Sequence, residues 1–189
     1  MQQRAVNIPS SRMTQRSRFL QAALLGLALG VGLTGCSGPR EEPVAALPEP
    51  EQAPPQQTDA DKQAIACLAQ AAYFEARGEG EAGMRAVVHV VLNRTKSRYY
   101  PATECAVIRQ GGPTAPCQFS WYCDGRSDVP RNKKSYAKAV AIAEAARAGN
   151  SADPTGGADM FHSRAVDPYW AQVAVQTAVI GRHIFYQLN

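Results

Sequence analysis

Apolar residues in the second half of the chain recur at helical intervals. Ile65, Leu68, Ala72 and Glu75 follow one another at spacings of three and four, so their side chains share one face of a helix over 61–77, which Gly78 and Gly80 end. Met84, Val87, Val88, Val91 and Thr95 repeat that interval over 81–96. The run Val87-Val88-His89-Val90-Val91 reads as a strand by its β-branching, but the helical interval and the length of the segment decide for a helix. Thr103 is an N-cap for a short helix over 103–110. Segment 111–128 is loop-like, interrupted by the apolar piece Phe119-Ser120-Trp121-Tyr122. An alanine-rich helix is expected over 135–148, with Val140, Ile142 and Ala145 on or near its buried side. A strand is expected over 160–162, and a short helix opens at Pro168. Segments 177–180 and 183–187 flank Gly181-Arg182 as the arms of a hairpin. There are no internal repeats. The fold class is α+β, mainly helical with a small antiparallel sheet.

The first third of the chain follows a different pattern. Arg4, Arg12, Arg16 and Arg18 precede an apolar run over 19–33 that ends in Leu33-Thr34-Gly35-Cys36. A basic region, an apolar stretch shorter than the ~20 residues of a membrane span, and small residues before a cut describe a secretory signal. Leu-Thr-Gly-Cys resembles a bacterial lipobox, in which Cys36 is lipidated and becomes the mature N-terminus. Met13 to Cys36 alone makes a complete signal. Residues 1–36 are therefore expected to be a lipoprotein signal peptide. Residues 37–60 carry Pro39, Pro43, Pro48, Pro50, Pro54 and Pro55 with almost no large apolar side chain, the composition of a disordered tether. Residues 61–189 suffice for one folded domain with one core. A tether behind a lipid anchor suits an extended polymer beside a membrane.

Charge and cysteine usage narrow the picture further. Over 61–189, fifteen Lys and Arg face eleven Asp and Glu, a net of +4 without a basic stripe, so nucleic acid is not an expected partner. Lys133 and Lys134 belong to a solvated surface. Cys67, Cys105, Cys117 and Cys123 form an even set in an exported domain, which reads as two disulfides. Four cysteines allow three pairings. Cys117 with Cys123 closes a small local loop and leaves Cys67 with Cys105. The chain has no Cys-x-x-Cys, and His89, His162 and His183 are scattered, so neither a zinc site nor another metal or cofactor is expected.

Glu75 continues the apolar stripe of its helix, where a carboxylate is costly unless paired, protonated or used. Burial raises a carboxyl pKa, and an acid still protonated near neutrality can donate a proton to a leaving group. The competing reading is a structural glutamate paired with an arginine such as Arg94. Five pieces in order carry a resemblance that separates the two. They are Tyr73-Phe74-Glu75-Ala76-Arg77-Gly78-Glu79, Val90-Val91-Leu92-Asn93-Arg94, Gln118-Phe119-Ser120 with Asp124-Gly125, Phe161-His162 with Pro168 and Trp170, and Ile180-Gly181-Arg182-His183-Ile184-Phe185-Tyr186. Over 64–186 the chain resembles the catalytic domain of SleB-type cell wall hydrolases.

That resemblance implies a lysozyme-like domain that cuts peptidoglycan between N-acetylmuramic acid and N-acetylglucosamine, with Glu75 as catalytic acid and base of a lytic transglycosylase. Gln118 and Ser120 are then hydrogen-bond donors to the sugar, although Gln118 also reads as a loop residue bonded to backbone. His162 matches the family pattern and is expected to bind substrate. Tyr186 is assigned to the cleft, and Trp170, Phe119 and Phe185 to the core. Arg77 and Arg94 are structural or set the pKa. Glu79 caps or pairs at the start of the next helix, and Glu79, Glu81 and Asp124 are the alternates for a second carboxylate. The alternatives are a muramidase that uses water, an amidase or peptidase, which would want zinc ligands or an activated cysteine, and a non-catalytic peptidoglycan-binding lipoprotein. Spore-lytic relatives differ outside this domain, so general envelope remodelling is the expected role. The expected partners are peptidoglycan and, through Cys36, a membrane. The protein is expected to be a monomer in the cell envelope, periplasmic and anchored to the inner or outer membrane.

Overall fold

Helix α1 opens on a capping box. In the computed structural model, which describes residues 57–114 and 116–188, Thr58 caps the helix Asp59–Ala76. Its hydroxyl accepts from the Asp61 N–H, and the Asp61 carboxylate reaches back to the Thr58 N–H. The helix therefore begins two residues before the apolar pattern does. Cys36 and the expected signal and tether lie outside the described residues, apart from the last positions of the tether.

A single 3-10 turn, Arg77–Glu79, separates α1 from α2, which spans Gly80–Lys96. Gly80 makes the redirection possible with a φ of +71°, which a side chain would strain. The valine run 87–91 is helical, as its interval demanded. Val87, Val88, Val90 and Val91 are all fully buried, because α2 is covered on more than one side and its β-branched residues serve as core. Helix α3, Glu104–Ile108, follows Thr103 in the N-cap position, without a side-chain capping bond.

Helix α4, Lys133–Arg147, packs against both α1 and α2. Its buried stripe is Ala139, Ala143 and Ala146, with Val140 and Ile142 only partly covered. Val140, Ile142 and Ala145 thus lie beside the buried stripe, at its margins. Small alanines let three helices approach closely, and the larger side chains fill the margins. Arg147 at the end of α4 pairs with Asp61 and Glu104, tying α4 to the starts of α1 and α3.

The chain ends in a three-stranded antiparallel sheet of order β1-β3-β2, from β1 Met160–Ser163, β2 Val175–Ile180 and β3 His183–Gln187. Phe161 pairs with Phe185 and Met160 with Tyr186, so alternate residues define two faces. Phe161 and Phe185 join the helical core, whereas Met160 and Tyr186 pack with Trp170 in a separate aromatic cluster. Trp170 sits in the 3-10 segment Tyr169–Gln172 behind Pro168. Disulfides join Cys67 to Cys105, between α1 and α3, and Cys117 to Cys123, within the loop that carries Gln118. Among the described residues, no helix is long and apolar enough to cross a membrane, and no three His, Cys, Asp or Glu side chains group as metal ligands.

Candidate active site

Glu75 lies in the last turn of α1, half-buried, after the stripe of Leu68, Ala71 and Ala72, which are fully buried. Its surroundings push its pKa from 4.5 up to about 7. Burial is the largest cause. The charge of Arg94 works against the rise, and that of Glu79 adds to it. Among the described residues no hydrogen bond or ion pair is seen at the Glu75 carboxylate, and Arg94 acts on it through its charge. An acid poised near neutrality, partly open to solvent and unbound, is suited to proton transfer.

Arg94 is fully buried on α2 and braces the ground beside Glu75. Its Nε–H donates to the Asp159 carbonyl at 2.7 Å, just before β1. Its guanidinium lies 5.2 Å from the Tyr100 ring centroid and 5.6 Å from that of Phe119. With its amide oxygen toward this guanidinium, Gln118 accepts from Nη1 and Nη2 at 3.1 and 3.2 Å. Arg94 thereby fixes the orientation of Gln118 and leaves its NH2 end to donate. The Gln118 N–H also donates to the Gln110 carbonyl at 2.9 Å, which holds this part of the loop in place. Ser120, two residues on, is exposed at the start of a 3-10 turn, while Phe119 between them is buried.

Glu79 has a different fate. Its side chain is only 5% exposed, and it makes no capping bond to α2. Instead it reaches the β2–β3 turn. The Arg182 N–H donates to Oε2 at 2.9 Å, and His183 Nδ1 stands 3.0 Å from Oε1. Burial pushes the His183 pKa down, while Glu79 draws it back up. Gly181, at φ +58°, is required here twice over, because a Cβ would collide with the Glu79 carboxylate. Sequence spacing could not find this contact, since it joins residues 103 positions apart. The isolated glutamate at a helix junction and the glycine in the hairpin were its only visible traces. Of the other alternates, Glu81 is exposed and paired with Lys138 at 2.8 Å. Asp124 lies in an exposed loop, where its Oδ1 accepts from the Arg126 N–H at 2.8 Å.

His162 and Tyr186 are not surface groups. They are 5% and 7% exposed, and their rings stack at 5.2 Å. A carbonyl only accepts, so His162 Nδ1 donates to Ser163 O at 2.9 Å, and Nε2 pairs with the Tyr186 hydroxyl at 3.0 Å. Trp170 meets both rings edge-on. The expected cleft position of Tyr186 is thus corrected. Both residues sit on the sheet face opposite Phe161 and Phe185, and their polar atoms are used within the cluster. Strand alternation put them there, and alternation carries no information on which face meets substrate.

Comparison with known proteins relates the domain to cell wall hydrolases. The family model described as Cell Wall Hydrolase matches residues 78–186, beginning three residues after Glu75. A spore cortex-lytic enzyme of Bacillus cereus is 35% identical over 122 residues, which cover 64% of this chain and 43% of that protein. The enzyme of the same description from Oceanobacillus iheyensis is 34% identical over 64% of this chain and 40% of its own length. The match thus spans about two fifths of the length of these curated relatives. Among solved structures, the catalytic domain of the germination-specific lytic transglycosylase SleB from Bacillus anthracis is covered completely by 71% of this chain, with 32% identity and a TM-score of 0.55. The catalytic domain of the Bacillus cereus SleB protein aligns over 91% of its length at 30% identity and a TM-score of 0.53. These neighbours share the lysozyme-like α+β architecture. With a family model matching more than half of its residues and a solved catalytic domain matched from end to end, the chain belongs to the cell wall hydrolase family.

Proposed function

We propose that this domain cleaves the glycan strand of peptidoglycan between N-acetylmuramic acid and N-acetylglucosamine, as a lytic transglycosylase with Glu75 as its only acid and base. The observation that carries the proposal is a half-buried carboxyl group, unpaired among the described residues and raised to about pH 7, with its nearest acidic neighbour in sequence bound elsewhere. Glu75 donates its proton to the glycosidic oxygen as the bond to the muramic acid C1 breaks. The carboxylate so formed takes the proton of the muramic acid 6-hydroxyl, whose oxygen closes on C1. The substrate supplies the nucleophile, and the glutamate returns to its starting state. Gln118, oriented by Arg94, and Ser120 donate to the sugar.

A hydrolase that uses water commonly needs a second carboxylate, about 5 Å from the first for retention and further for inversion. Glu79 is committed to the hairpin turn, Glu81 to Lys138, and Asp124 to its own loop. This favours the transglycosylase over the muramidase. It also favours catalysis over a retired binding domain, because a wall-binding function has no use for an acid held protonated at a cost. Mass spectrometry of sacculi digested with the protein should find fragments ending in 1,6-anhydromuramic acid. Reducing muramic ends would instead establish water as the nucleophile.

The same reading extends to location in the envelope, with Cys36 as a lipid-bearing N-terminus and residues 37–57, up to the Thr58 cap of α1, as a tether. One acyl chain binds membranes only marginally, so stable attachment requires the several chains of a bacterial lipoprotein. At up to ~3.1 Å per residue the tether reaches some tens of ångströms, enough to meet the wall from a membrane. Cys36→Ala should move the protein from the membrane to the soluble fraction. Soluble, unlipidated wild-type protein would refute the anchor.

A further inference from the structure

Beside the last turn of α1, around the helix from Glu75, lies a cleft of about 340 Å³. Tyr73, Phe74 and Arg77 form its wall on the helix side. Trp121, Asp124 and Arg126 face them, and Asp128 and Arg131 complete the rim. Nothing in the proposed cleavage step uses any of these residues, although the cleft shares its helical turn with the catalytic glutamate.

The lining is built for a ligand of mixed charge. Phe74 and Trp121 stack at 4.8 Å and 21°, giving an apolar floor. Asp124 and Asp128 lie near enough for Asp124 to help burial raise the pKa of Asp128, so this pair favours a cation. Arg126 and Arg131 are exposed and enter no ion pair among the described residues, so these two groups favour carboxylates. Tyr73 has no exposed surface, yet its hydroxyl oxygen accepts twice, from Arg77 Nη1 at 2.6 Å and from the Asn132 N–H at 3.0 Å. With both accepting positions engaged, its own hydrogen has no acceptor among the described residues. The indole N–H of Trp121 is likewise buried without a partner. An apolar floor, the three guanidinium groups of Arg77, Arg126 and Arg131 and the carboxylates of Asp124 and Asp128 suit a small peptide carrying both free carboxylates and an ammonium group.

We propose that this cleft is a subsite for the stem peptide of the muramic acid residue, the zwitterionic peptide that leaves the glycan at the lactyl group and carries a diamino acid. The inference rests on the peptidoglycan reading above and deepens it. Glycan lies across the end of α1 at Glu75, and the stem descends around the helix, where Arg126 and Arg131 take its carboxylates and Asp124 and Asp128 its ammonium group. The enzyme thereby distinguishes glycan that still bears stems from glycan that has been stripped of them.

Two measurements on the full chain test this. In the first, kcat/KM is compared on glycan strands with stems and on the same strands after an amidase has removed them. The wild type should prefer the stem-bearing strands by about tenfold, a ratio within reach of one charge-assisted hydrogen bond. In the Arg126→Gln, Arg131→Gln double variant this preference should fall toward one. In the second, the free stem tetrapeptide is added to the Glu75→Gln protein and the indole N–H resonances are followed by NMR. The chain has two tryptophans, and Trp170 in the far cluster serves as the internal control. The Trp121 signal should shift at millimolar peptide, and the shift should vanish in the double variant. Equal cleavage of both glycans with no shift at Trp121 overturns the subsite and leaves the cleavage reading standing. A shift at Trp121 with neither glycan cleaved by the wild type overturns the cleavage reading and leaves the subsite. A preference or a shift that survives in the double variant removes the arginines from the site and overturns the proposal as stated.

Discussion

Glu75→Gln should reduce cleavage of purified sacculi by at least about 10²-fold, the lower end of what a positioned general acid contributes. Glutamine preserves the shape of the side chain and cannot transfer a proton. Arg94, Gln118 and the Glu79 contact to the hairpin do not depend on the Glu75 carboxylate, so the variant should fold. It should also be the more stable protein at neutral pH and above. The folded-state pKa of about 7 lies above the ordinary 4.5. Below 4.5 the carboxyl is protonated folded or unfolded, and its contribution is fully retained. Between 4.5 and 7 the unfolded chain ionises first, so stability falls as pH rises, and above 7 the loss is complete. The change corresponds to about 3 kcal/mol that the glutamine variant does not lose. Thermal unfolding of both proteins from about pH 4 to pH 8 should show the gap opening over this window. Sacculus digestion near the wild-type rate, or a stability gap independent of pH, would remove Glu75 from the role assigned to it.

Opening the Cys67–Cys105 disulfide should be the most damaging change outside the site. The bond spans 38 residues and links the middle of α1 to α3, enclosing α2 within its loop. Loop-closure entropy alone gives about 4 kcal/mol for a loop of this size. The six-residue separation of Cys117 and Cys123 gives about 2 kcal/mol by the same argument. Replacing Cys67 and Cys105 together by alanine should therefore lower the denaturant midpoint more than replacing Cys117 and Cys123 together. The shorter bridge has a different expected signature. It flanks Gln118, so its loss should affect cleavage more than stability. An equal loss of stability in both double variants would show that loop length does not govern the ranking.

Much of this protein is written locally. The helical interval of Leu68, Ala72 and Glu75 placed a carboxyl group on a buried stripe, and the valine run of α2 kept helical spacing against its β-branching. The hairpin was visible in Gly181-Arg182, and the local Cys117–Cys123 loop settled the cysteine pairing. These features depend on residues close in the chain, where the periods of helix and strand carry the information. Tertiary structure decided which of the candidate groups meet. Glu79 belongs to Arg182 and His183 because the end of α1 abuts the β2–β3 turn. His162 and Tyr186 bond to each other because β1 and β3 pair in a register that turns both toward Trp170. Ala139, Ala143 and Ala146, not the larger Val140 and Ile142, face inward because three helices pack closely there. The cleft beside Phe74 exists because the 120s loop folds back over α1. Each of these contacts joins residues far apart in sequence or chooses one face of an element over another, and local periodicity is the same for either choice. The sequence determines the elements and the chemistry they can carry, and packing determines which of their groups meet.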